Sequence, residues 1–87
     1  MALLRKAGIA LAATGAAHFA APKVFEPISR AGFPRDTATW IKRNGATEVA
    51  LGLALTAKRT RKAGLVGTAA YFGWLGARVA YHRQNAA

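Results

Sequence analysis

Five side chains in this sequence could ligate a metal or carry a proton: His18, Glu26, Asp36, Glu48 and His82. They are scattered rather than set at ligand spacing, and no HExxH, P-loop or GxGxxG pattern occurs. The chain has no cysteine, which removes thiolate ligation, disulfides and a cysteine nucleophile. No catalytic residues, no metal and no cofactor are therefore expected, and an enzyme acting alone is not the expected function. Glu48 stands apart, because residues 44–57 contain no other charge. A carboxylate inside an apolar helix is costly, so it is expected either to serve a proton, ion or quinone-headgroup site or to lock helices together. In an antiparallel arrangement His18, Asn44, Glu48 and Arg78 gather toward one end as a candidate polar cluster, with Arg78 or His18 as the partner of Glu48.

The elements that would position this cluster are helices. Residues 7–21, AGIALAATGAAHFAA, and 63–77, AGLVGTAAYFGWLGA, are apolar all round, with no face to turn to water. Such helices are buried by lipid or by more protein than 87 residues supply. If flanking Lys and Arg side chains extend toward the interface, residues 3–21, 40–57 and 63–80 each reach about 27–29 Å, near the thickness of a hydrocarbon core. The predicted fold class is all-α: a small transmembrane bundle, one membrane domain over residues 1–87, with three spans and a proline-containing loop at 22–39. The predicted location is the cytoplasmic (inner) membrane, multi-pass. The dense basic turn at 58–62, KRTRK, places itself and the amino terminus on the cytoplasmic side. Arg5 and Lys6 ahead of residues 7–17 also have the layout of a signal peptide, here read as retained.

Pro22, Pro27 and Pro34 predict an irregular connection, closed by Asp36 or Thr37 as the N-cap of the next helix. Helix packing is predicted along small residues: Gly8, Ala12, Ala16 and Ala20 at intervals of four, then Ala69, Gly73 and Ala77, with Gly45 and Gly52 two turns apart. Composition points the same way. Hydrophobic residues make up 53%, but 22 of them are alanine, which fills a core poorly while allowing close helix approach. The formal net charge of +10 comes from 13 basic residues gathered in four places, which mark where the chain leaves the apolar runs.

Three motifs carry a family resemblance. Gly15-Ala16-Ala17-His18-Phe19-Ala20-Ala21-Pro22 is followed by Phe25, Ile28 and Gly32-Phe33-Pro34. Asn44-Gly45-Ala46-Thr47-Glu48 is followed by Leu51-Gly52-Leu53, and Arg59-Thr60-Arg61-Lys62-Ala63-Gly64 completes the set. In order and spacing these resemble the DoxX-like family of small integral membrane proteins, in a short, three-helix variant. By position the resemblance singles out His18, Phe19, Pro22, Phe25, Gly45, Glu48 and Gly52. It departs at Ser29 and Arg30, where relatives commonly carry valine and proline, and in lacking the family's usual fourth helix. The resemblance implies class and topology more than reaction: some relatives are implicated in quinone-linked sulfur or oxidative-stress redox assemblies, and many have no assigned activity.

The expected function is a small integral membrane protein acting as an accessory or scaffold subunit of a larger membrane complex, whose redox character rests on the resemblance alone. The expected partners are membrane lipids and a larger membrane protein or a second copy of the chain, with anionic headgroups meeting Lys58, Arg59, Arg61 and Lys62. The alternatives are a basic helical protein bound to a membrane surface or nucleic acid, and an oligomeric carrier of small molecules or ions. No recognised DNA-binding motif is present, so nucleic acid is not the favoured partner.

Overall fold

Alanine is the strongest helix former, and its 22 copies recur through all the apolar runs. In the computed structural model, which describes residues 2–85, the chain is accordingly helical almost throughout. Four helices follow in order: α1 (Ala2–Ala20), α2 (Pro22–Gly32), α3 (Thr37–Thr56) and α4 (Arg61–Gln84). No strand occurs among the described residues.

The expected three-span bundle is corrected by this architecture. Among the described residues, no helix is long and apolar enough to cross a membrane. The physical reason lies in where the helix ends fall. Arg5 and Lys6 lie inside α1, Lys42, Arg43 and Glu48 inside α3, and Arg61, Lys62, Arg78 and Arg83 inside α4. The uncharged part of α1, residues 7–20, reaches only about 21 Å against a hydrocarbon core of about 30 Å. The transmembrane helices, the multi-pass inner-membrane location and the cytoplasmic amino terminus that depended on those spans fall with them. All-α remains.

The proline-containing segment is the second correction, since much of it is a helix. Pro22 stands in the first turn of α2, where its missing N–H has no intrahelical partner to lose. Pro27 lies in the interior of α2, and the helix continues through it. Phe25, Ser29 and Gly32 recur at helical spacing on its inner side, while Glu26 and Arg30 pair one turn apart at 2.6 Å on the outside. Asp36 occupies the N-cap position of α3 with φ of 54°, but its side chain makes no capping bond.

α3 is the central element. It runs antiparallel to α1 at very close range: a Cβ on Gly15 would lie 2.5 Å from the Gly45 carbonyl oxygen, and one on Gly8 2.6 Å from the Gly52 carbonyl oxygen. Of the predicted small-residue stripes, Gly8 and Ala12 serve this crossing, with Gly15, Gly45 and Gly52. Ala16, Ala20, Ala69, Gly73 and Ala77 are all exposed instead. α4 packs on the other side of α3, and α2 lies across α3 and α4, with α1 and α4 not packed on each other. A gap closed at one end by α2 is left between them.

Candidate functional site

Among the described residues the buried set contains as many polar side chains as large apolar ones. Phe33, Ile41, Leu55 and Tyr71 are buried, and so are His18, Ser29, Asn44 and Glu48. Buried polar groups are the informative exception in a helical core. All four line one cavity of about 350 Å³ in the gap between α1, α2, α3 and α4, together with Tyr71. Leu11, Phe25, Phe33, Phe72 and Leu75 supply much of its apolar wall.

Each polar group is placed by a specific local cause. His18 comes from the last turn of α1, where its Nδ1 lies 2.8 Å from the Thr14 carbonyl oxygen. A carbonyl only accepts, so Nδ1 carries the proton, and Nε2 is the nitrogen turned toward Glu48, 3.9 Å from its Oε2. Phe25 of α2 stacks on the imidazole with ring centroids 3.7 Å apart, fixing the ring plane. Glu48 receives its direct hydrogen bond from α4, where the Tyr71 hydroxyl donates to Oε2 at 2.6 Å. Burial, the bond to Glu48 and the charge of that carboxylate raise the Tyr71 phenol far above its ordinary value. Tyr71 therefore acts as a donor throughout the working pH range.

Asn44 is 6% exposed and lines the same cavity, yet its side-chain amide makes no hydrogen bond among the described residues. The Ser29 hydroxyl is likewise without a bond there. Both border a space that holds no protein hydrogen-bond partner for them.

The predicted cluster is thus brought together in part. His18, Asn44 and Glu48 meet, but Arg78 does not join them. Its Nε donates to the Gly32 carbonyl at 2.9 Å, and its guanidinium lies 4.4 Å from the Phe33 ring centroid. Tyr71 was the missed member. A buried carboxylate needs a donor, and Thr68 and Tyr71 are the hydroxyl-bearing residues in residues 63–77, which is the signal that could have found it.

Of the family-motif positions, Phe25 lines the cavity, Gly45 and Gly52 form the α1–α3 crossing, and Phe19 and Pro22 are exposed. In the basic turn Lys58, Arg59 and Lys62 are exposed, whereas Arg61 is committed to the end of α3, its Nε donating to the Leu55 carbonyl at 3.0 Å. No group of three or more His, Asp or Glu residues able to hold a metal occurs among the described residues.

A family model for a domain of unknown function, DUF8561, matches residues 7–86. The chain belongs to the DUF8561 family. No curated protein and no solved structure matches it. The matched range takes in all four helices of this DUF8561 domain apart from the start of α1, and so every residue of the cavity.

Proposed function

We propose that this chain is a binding module for a small, mostly apolar molecule carrying a hydroxyl, carbonyl or amide group, and that it works as a non-catalytic accessory subunit of a larger protein assembly. The observation that carries the reading is the convergence of His18, Asn44, Glu48 and Tyr71 on one mostly apolar cavity of about 350 Å³, with the Asn44 amide left unbonded. Small-molecule sites have this make-up: mostly apolar walls with a few convergent polar groups. With no protein bond of its own, the Asn44 amide is free to donate to or accept from a molecule in the cavity.

The accessory role is supported by the outer surface. Among the described residues eleven large apolar side chains are exposed, with Leu3, Phe19, Val24 and Val66 away from the cavity, which suits a chain that docks on a partner. The resemblance to the DoxX-like motifs supports the same cavity, since His18, Phe25 and Glu48 stand on its wall.

The test uses phenol and toluene, which share a shape and differ in carrying a hydroxyl or a methyl on the ring. Calorimetric titration and thermal shift are expected to give saturable binding, with phenol preferred. Asn44→Ala is expected to weaken phenol about tenfold and to leave toluene nearly unchanged. Absence of saturable binding by both probes, or equal weakening of both, would sink the proposal.

A further inference from the structure

Arg78 is a half-buried cation without a counter-ion. No carboxylate lies within 4.0 Å of its guanidinium among the described residues, where Glu26 pairs with Arg30 and Glu48 stands 3.9 Å from His18 Nε2. Its charge is accommodated by aromatic faces: the guanidinium carbon is 4.4 Å from the Phe33 ring centroid, 5.5 Å from that of Trp40 and 5.9 Å from that of Trp74. Cation–π attraction and one bond to the Gly32 carbonyl hold the group in place. A second guanidinium, Arg43, stands 5.1 Å from the Trp40 ring centroid and adds to the positive field.

This boxed cation opens on a cleft of about 480 Å³ between the 33–36 turn and the end of α4, separate from the His18 cavity. Arg35, Tyr81, His82 and Asn85 share its wall with Arg78, and His82 Nε2 lies 3.4 Å from an Arg78 nitrogen. Asp36 is on the same wall and is the one acid there, set against two arginines. Its side chain makes no capping bond to the first turn of α3. Arg78 commits Nε to the Gly32 carbonyl, and the Asn85 amide donates to the Tyr81 carbonyl at 2.7 Å. That leaves the Arg35 guanidinium, the remaining N–H groups of Arg78 and the Tyr81 hydroxyl to meet a phosphate group, with its several acceptor oxygens and negative charge.

We propose that the cleft walled by Arg35, Arg78, His82 and Asn85 binds a phosphate group, presented either as free phosphate or as a phospholipid headgroup. This site is independent of the small-molecule cavity and extends the activity beyond it. Trp40 and Trp74 are the two tryptophans of the chain and both flank Arg78, so their emission reports occupancy directly.

The experiment titrates the full chain at constant ionic strength with inorganic phosphate, with chloride as the control. In parallel it uses vesicles of phosphatidylcholine, with and without a minor share of phosphatidic acid. Saturation by phosphate but not by chloride supports the proposal with free phosphate as the source. Saturation by phosphatidic acid vesicles alone supports it with the headgroup as the source. Arg35→Gln is expected to weaken the response about tenfold, while Lys58→Gln, which removes the same charge from the α3–α4 turn, changes it less than twofold. Both side chains are exposed and make no intramolecular hydrogen bond or ion pair among the described residues, so neither change threatens the fold. The proposal is overturned by a chloride response equal to that of phosphate, by equal weakening in the two variants, or by no saturable response in either arm.

Discussion

Tyr71 and Glu48 form the contact on which the polar cavity depends, and they also set how the fold responds to alkali. The Tyr71 hydroxyl is the direct donor to the buried carboxylate, so Tyr71→Phe removes one partner and leaves the other buried. The expected loss is about 1–3 kcal/mol of unfolding free energy, read from urea denaturation. Because burial and Glu48 raise the phenol above its ordinary value, the folded state holds this proton more tightly than the unfolded chain. The stability it contributes is therefore complete below the ordinary phenol value of about 10 and declines as pH rises beyond it. In Tyr71→Phe the fall in stability above that pH is expected to be shallower than in the parent chain; identical slopes would count against the hydrogen bond. Glu48 is legible in the sequence as a charge out of place, but its partner is not. Arg78 is a stronger attraction on paper, yet it lies 30 residues along the chain at the other end of a bed of aromatic rings.

At the scale of elements, close approach of α1 and α3 makes some glycines irreplaceable and leaves others free. A Cβ on Gly45 would stand 2.6 Å from the His18 Cβ and 2.8 Å from the Gly15 carbonyl oxygen, so the helices must move apart to admit it. Gly45→Ala is expected to cost about 1–3 kcal/mol or more. It also displaces His18, so phenol binding should fall with it. Gly73 has nothing within 4 Å of its would-be Cβ and sits exposed within α4. Gly73→Ala is expected to stabilise by about 0.5–1 kcal/mol through helix propensity alone. Urea midpoints of the two variants should move in opposite directions, and a shared direction would contradict the assigned packing. Sequence spacing placed both glycines on candidate packing faces, because a regular interval of small residues does not say which face meets a neighbour.

The whole molecule measures 44 × 26 × 17 Å along its principal axes, and its thinnest dimension is less than two helix diameters of about 10–12 Å each. A body that thin leaves many side chains outward, which is why large apolar residues such as Leu3 and Ile28 remain exposed. Its surface also carries most of a net charge of +10, with few ion pairs to offset it. Self-repulsion of this kind lowers stability and is screened by salt. Raising sodium chloride from about 0.02 M to 0.5 M is expected to raise the thermal midpoint measured by circular dichroism. A midpoint that falls would show that exposed-charge repulsion is not the limiting term.

Residue types acting over a few positions determined the helical class, the tight basic turn between α3 and α4, and the anomaly of Glu48. Helix propensity, capping and the cost of a charge among apolar neighbours are local effects that the chain carries wherever it goes. Docking decided the rest. That the segment from Pro22 to Gly32 is helical depends on Ser29 and Gly32 finding α3 and α4 to pack against, which its prolines alone do not reveal. The absence of a membrane-crossing helix among the described residues follows from charged residues lying inside the helices rather than beyond their ends. The meeting of His18, Asn44, Glu48 and Tyr71 requires three helices in one register. An alanine-rich sequence offers many nearly equivalent small-residue faces, and only the mutual fit of Gly8, Gly15, Gly45 and Gly52 selects one of them.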